Sequence, residues 1–128
     1  MGCIPSKALL QSSENFEQAG KHFGEHGIHL KDLKMDVATM IGRKDTVVKQ
    51  NNDGIAYLFK KNKVTFFHGR GSFVRAVDGG YEIKVAGKTE ESLTGRQVIV
   101  ATGSSARALP GAPFDEQSIL SNDGALAM

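Results

Sequence analysis

The sequence predicts an α/β fold, and three observations carry the prediction. The first is an apolar stripe: Val37, Met40, Ile41, Val47, Val48, Ile55, Leu58 and Phe59 keep a 3.6-residue helical period across residues 36 to 61. The second is a change of character at Val64, after which short β-branched and aromatic segments alternate with turn signals. The third is glycine: fifteen in 128 residues, above the roughly 7% of ordinary proteins and set at punctuation points rather than in a linker-like run. Glycines so placed mark turns and close approaches of backbone.

Taken in order, Pro5 suits the first turn of a helix, where its missing N–H costs nothing and its φ is already helical. That helix is expected to run to about Phe23, with Leu9, Phe16, Ala19 and Phe23 on one face and Gly24 and Gly27 ending it. Asp36 reads as the N-cap of the second helix, which Gly54 weakens without ending. Residues 64–67, 72–77 and 81–85 read as strands of a three-stranded antiparallel meander between about 64 and 94. Asp78-Gly79-Gly80 is its hairpin signal. Residues 97–102 hold Val98-Ile99-Val100-Ala101, apolar on both faces, the pattern of a strand buried between two layers. Leu109-Pro110-Gly111 breaks the chain, and residues 118–120 read as a last short strand. Ser121 or Asn122 then reads as the N-cap of a helix that the sequence stops before building.

Composition narrows the function classes. The length suits one domain with a modest core. Sixteen Lys and Arg against fourteen Asp and Glu leave a formal charge of +2, and no basic run exceeds Lys60-Lys61, so no nucleic-acid partner is expected. No stretch approaches the ~18 apolar residues of a membrane span, and no signal peptide is recognisable, which points to an intracellular chain. A single cysteine excludes an internal disulfide and a Cys-rich zinc site. His22 to His26 spell His-x-x-Glu-His, a zinc-peptidase pattern, but Gly24 and Gly27 interrupt the helix it needs. A solvated helix end is the reading, and no metal is expected.

Two segments carry chemistry. Cys3, in Gly2-Cys3-Ile4-Pro5-Ser6-Lys7-Ala8-Leu9-Leu10, precedes a helix whose free N–H groups favour an anion, with Lys7 one turn on. From the residues alone, Cys3 is either an activated thiol or an inert one that happens to precede a helix. The second segment runs from Thr94 through the apolar strand to Ala101-Thr102-Gly103-Ser104, a small-residue turn that lets another group approach the backbone. Any buried strand ending in Thr-Gly would look the same. Gly71, in His68-Gly69-Arg70-Gly71 at the end of the Val64 strand, reads as a close-approach glycine or as a bulge or turn glycine.

The first segment resembles the active-site segment of the flavin-dependent disulfide reductases, and its form is most similar to the branch that oxidises dihydrolipoyl groups. Glutathione reductases usually carry a second Lys where this chain has Ser6, and mercuric reductases usually diverge after Lys7. The resemblance places Cys3 on the second cysteine of the family's Cys-x4-Cys disulfide, the one whose thiolate meets the flavin, and Lys7 on the lysine near the flavin N5 edge. Residues 94–104 resemble the family's second flavin motif, at a fitting distance, which implies contacts from Ala101, Thr102, Gly103 and Ser104. Gly71 falls on a glycine whose backbone lies by the adenosine of FAD.

What the resemblance implies is a partial FAD-binding Rossmann-like domain spanning residues 1–128, from a longer protein. The family's Gly-x-Gly-x-x-Gly loop and first cysteine would precede residue 1, and its NAD and dimerisation domains would follow residue 128. Family members usually have Val where this chain has Met1, so a truncated or mis-started frame is the expectation for the N-terminus. The parent enzyme would pass two electrons from lipoyl domains of 2-oxo-acid dehydrogenase complexes, or of the glycine cleavage system, through FAD to NAD+. It would be a cytoplasmic or mitochondrial-matrix homodimer, and this chain alone would be inactive. A different flavin disulfide reductase, or a non-enzymatic thiol-bearing or nucleotide-binding module, is the alternative.

Overall fold

The two long helices begin where the sequence supplies or dispenses with a cap. A computed structural model describes residues 2–128. Helix α1 spans Cys3–Lys21, a 3-10 helix follows at Phe23–His26, and Gly27, at φ 77°, ends the segment in the left-handed region. Helix α2 spans Val37–Lys61. Asp36 caps it as expected: its carbonyl accepts the Met40 N–H at 3.0 Å, and its carboxylate accepts the Thr39 N–H at 3.1 Å and hydroxyl at 2.7 Å. The Thr39 hydroxyl, then the Thr39 N–H, hold the Asp36 carboxyl below its ordinary range.

Strands β1 (Gly69–Val77), β2 (Gly80–Gly87) and β3 (Glu90–Gly95) form an antiparallel sheet in the order β1-β2-β3. Val77 pairs with Gly80 across the tight β1–β2 turn, where Gly79 adopts φ 71°. At Gly80 a Cβ would collide with the Gly95 carbonyl oxygen, so glycine is required where β2 meets the end of β3. Glu82, on the central strand, ties both outer ones. Its Oε2 accepts from Arg75 Nε at 2.7 Å and its Oε1 from Ser92 Oγ at 3.0 Å. Those donors, Arg75 first, hold the Glu82 carboxyl below its usual range.

Four sequence expectations are corrected. Residues 64–67 form no strand. They run extended from the end of α2, and Phe66 stacks on Phe59 with ring centroids 5.8 Å apart. The third strand is instead β3, whose only large apolar residue is Leu93, so that period-2 patterning hides it. Gly71 therefore lies inside β1, opposite Val85, and does not close a preceding strand. Second, residues 97–102 are not a buried strand: Ile99 is 91% exposed and Val100 68%. A strand needs a neighbour for its N–H and C=O groups, and no described strand pairs here. Third, residues 118–120 form a turn, because one Asp115 carboxylate oxygen accepts the N–H groups of Gln117, Ser118 and Ile119, each at 2.8 Å. Fourth, a last helix is built: α3, Asn122–Ala127, with Ser121 Oγ accepting the Gly124 N–H at 3.2 Å.

The residues group into two compact units, Met1–Ile55 with Gly103–Met128, and Ala56–Thr102. Among the described residues each buries one apolar side chain to 7% exposure, Ala8 in the first and Val85 in the second. The first also buries Lys44, whose Nζ donates to the Leu126 carbonyl at 2.7 Å and meets Asp45 Oδ1 at 2.8 Å. Arg43 Nη1 donates to the Ala8 carbonyl at 3.0 Å, joining α2 to α1. Among the described residues no helix is long and apolar enough to cross a membrane.

Two outcomes are expected of this fold. Because the folded-state pKa of Asp36 lies below its unfolded value, its stabilisation is complete above the unfolded value, about pH 4, and is lost as pH falls through the folded one. Asp36→Ala should therefore lower Tm at pH 7, and the gap to wild type should narrow as the pH is taken below the unfolded value, as followed by far-UV circular dichroism. Second, Val98, Ile99 and Val100 form an unpaired apolar segment and should drive self-association. Sedimentation velocity should find the wild-type chain associated and Ile99→Lys shifted toward monomer; a clean wild-type monomer would contradict this.

Candidate functional site

The start of α1 holds the thiol. Cys3 is the first residue of the helix and is exposed. Its N-cap, Gly2, brings no side-chain hydrogen bond, and the first turn contains no acidic residue. The partial positive charge of a 19-residue helix therefore meets no carboxylate of its own first turn. Pro5 removes one orphan N–H from that turn, and the Ser6 N–H closes the first helical bond onto the Gly2 carbonyl at 2.9 Å. Lys7, also exposed, follows Cys3 by four residues, the spacing that stacks two side chains on one helix face. The Cys3 side chain thus stands at a helix terminus with Lys7 one turn away.

The second cluster belongs to the other compact unit. Gly71, Ser72 and Phe73 of β1, Ile83 of β2, and the extended segment Val98 to Thr102 line a largely apolar groove of about 340 Å³. Gly71 and Phe73 alternate on one face of β1, and Phe73 pairs with Ile83. A Cβ at Gly71 would have only Ile83 Cγ2 for company, at 4.0 Å. Glycine here thus leaves open the volume a side chain would fill. The groove brings together three residues singled out from sequence: Gly71, Ala101 and Thr102. Its lining ends at Thr102. Gly103, at φ 74°, and Ser104 continue the chain into the first unit, both exposed. That φ requires glycine or strain, while the space around a Gly103 Cβ is empty.

A largely apolar groove of this size, with a glycine among its lining residues, suits a flat heteroaromatic ring. The residues present thus fit the adenine or flavin portion of FAD. They do not supply the whole molecule's needs, since a diphosphate is met by glycine-loop amides at a helix N-terminus and no Gly-x-Gly-x-x-Gly spacing occurs in the sequence. At His22 to His26 the α-helix gives way to the 3-10 turn, and His22 Nδ1 lies 3.5 Å from Glu25 Oε1. Among the described residues no group of three or more His, Cys, Asp or Glu is placed to hold a metal ion.

Sequence reasoning did not single out Lys44 or Asp115. Position 44 falls on the apolar stripe of α2, between Ile41 and Val47, and a lysine at an inward-facing register was the available signal. Asp115 carried no periodic signal. Its role appears only once three consecutive N–H groups are seen to converge on it.

Known proteins extend the picture. The chain is 52% identical over 126 residues, 98% of its length, to a dihydrolipoyl dehydrogenase of Cupriavidus necator. It is 43% identical over 128 residues to dihydrolipoyl dehydrogenase 1, mitochondrial, of Arabidopsis thaliana, and 43% identical over 128 residues to a leghemoglobin reductase of Vigna unguiculata. It spans about a quarter of the length of these relatives: 26%, 25% and 24% respectively. A sequence model of the pyridine nucleotide-disulphide oxidoreductases matches residues 1–127. With the exposed thiol at the head of α1 and the groove beside Gly71, that match identifies the chain as a member of the pyridine nucleotide-disulphide oxidoreductase family.

Proposed function

We propose that this chain is the part of a dihydrolipoyl dehydrogenase that carries the flavin-facing redox thiol and one wall of the FAD site. The observation that carries the reading is Cys3 as the first residue of an uncapped helix with Lys7 one turn on, in a chain 52% identical to a protein of that name. FAD, when bound, supplies a two-electron acceptor between a dithiol and NAD+.

Cys3 is the thiol that would stand beside the flavin, at the head of α1 with Lys7 one turn on. Lys7 would lie toward the flavin N5 edge. Gly71 would let the adenosine reach the backbone of β1, and Ala101, Thr102, Gly103 and Ser104 would each offer small-residue backbone to the cofactor. Residues 1–128 act as a partial FAD-binding domain, and NAD+ is held elsewhere in the working enzyme. The overall exchange balances: dihydrolipoyl loses two electrons and two protons to become the disulfide, NAD+ gains a hydride, and one proton is released. Its partners are lipoyl domains of 2-oxo-acid dehydrogenase complexes or of the glycine cleavage system, acting on a homodimer in the cytoplasm or the mitochondrial matrix. The leghemoglobin reductase at 43% identity keeps a second reading in play, in which the same thiol and flavin serve a different reductase.

One graft decides between them. Replacing the matching segment of the Cupriavidus necator dihydrolipoyl dehydrogenase with these 128 residues should leave a yellow protein that makes NADH from dihydrolipoamide, within about tenfold of the recipient. In that graft, Cys3→Ser should abolish turnover and keep the colour. A graft that is colourless, or yellow but inert toward dihydrolipoamide, would overturn the proposal. The 128-residue chain by itself, holding one cysteine, should give no NADH and no saturation at low micromolar FAD in flavin-fluorescence titration.

A further inference from the structure

We propose that Lys44 is a positioning residue for the Cys3 thiol, acting by clamping α3 against the first turn of α1. The inference rests on the reading of Cys3 as the redox thiol. Three observations in one compact unit carry it.

The first is that the head of α1 has little of its own to hold it. Gly2 provides no side-chain cap, Pro5 no N–H, and the closing bond onto Gly2 comes from Ser6 alone. A helix start so equipped frays unless something packs on it. The second is that two side chains of α3 lie beside Gly2. A Cβ built on Gly2 would lie 3.5 Å from Asn122 Nδ2 and 3.6 Å from Leu126 Cδ1, so these two side chains of α3 flank the residue that precedes Cys3. Six residues of helix do not hold themselves in place.

The third observation is the tether. Lys44 is 6% exposed, and its ammonium reaches the carbonyl of Leu126 itself, at 2.7 Å. Burying an ammonium has a desolvation cost that an apolar side chain at an inward-facing helix position avoids. What the lysine adds is direction: a charge-assisted bond to one carbonyl near the C-terminal end of α3, where the partial charge is negative. The neighbouring Arg43 holds the Ala8 carbonyl, so two consecutive residues of α2 secure the second turn of α1 directly and its first turn through α3. Lys44 touches no reacting atom; its effect on chemistry runs through the order it imposes at Cys3.

The single cysteine makes the test direct. A nitroxide attached to Cys3 of the full 128-residue chain reports, by its electron paramagnetic resonance line shape, how firmly the head of α1 is held. Lys44→Met should shorten the label's rotational correlation time by roughly twofold, and Lys44→Arg should restore most of the wild-type value. A control label at Lys88→Cys in a Cys3→Ser background should not change with Lys44→Met. An unaltered Cys3 line in folded Lys44→Met, or equal loosening at residue 88, would overturn the proposal. If Lys44→Met loses its helical circular dichroism, Leu126→Ala serves instead, because it removes the contact over Gly2 and keeps the backbone carbonyl. A loosened Cys3 line then upholds the clamp, and an unaltered one overturns it. The readout needs neither flavin nor dihydrolipoyl substrate. Loosening at Cys3 with an inert graft would sink only the functional reading; an active graft with no loosening would sink only the clamp.

Discussion

Backbone hydrogen-bonding groups have to find partners, and which segments find them decides nearly everything about this chain. Strands β1 to β3 satisfy one another in an antiparallel ladder. Residues 98–101 have the better strand composition and no neighbour among the described strands, so they stay unpaired with Ile99 in solvent. Apolar character alone did not make a strand. Elsewhere the same requirement is met by side chains: Asp36 at the head of α2, Ser121 at the head of α3, and Asp115 where residues 117–119 turn. The two carboxylates in that role, Asp36 and Asp115, are both displaced toward the charged form. Acid is thus a shared weakness of elements far apart in the sequence.

The helices are legible in the sequence because their signals are local. A stripe at 3.6-residue spacing and an aspartate just before it place α2 within a residue of its observed start. The strands are less legible because pairing is a property of two segments. Residues 64–67 look like a strand and are not one. Residues 90–95 look like a polar loop and form the sheet's third member, since Ser92 and Thr94 are held by what lies opposite them on β2. The hairpin turn is the exception, because Gly79 and Gly80 announce a backbone geometry that few other residues allow.

The candidate site divides along the same line. Cys3 and Lys7 are readable because both sit on one helix, where spacing alone sets who faces whom. The groove is not readable as a shape: Gly71, Ile83 and Val98 are separated by a dozen residues or more, and only the β1–β2 register brings the first two to one wall. What the sequence offered there was residue type, small at 71 and at 101 to 104, which marks where a ligand can come close without describing the space it would enter. Lys44 shows the reverse case. Its register was visible and its significance was not, because a lysine on an apolar face becomes informative only when its acceptor is known.

The Asp115 turn has a consequence for how this region can drift in sequence. Gln117 and Ser118 take part through their backbone N–H groups, and Ile119 through its N–H and its carbonyl, which accepts the Asp115 and Glu116 N–H groups, so the turn is made with backbone atoms of these three residues and not with their side chains. Most amino acids are permissible at those three positions. Proline is the forbidden one, because it alone lacks the donor. The specification of the whole turn is concentrated in a single carboxylate one or two bonds from the backbone: glutamate would put the charge a methylene too far out, and asparagine would keep an acceptor of lower charge. A collection of functional variants should therefore vary freely at 117 to 119 while position 115 stays nearly fixed, a sharp contrast between neighbours that solvent exposure alone would never suggest.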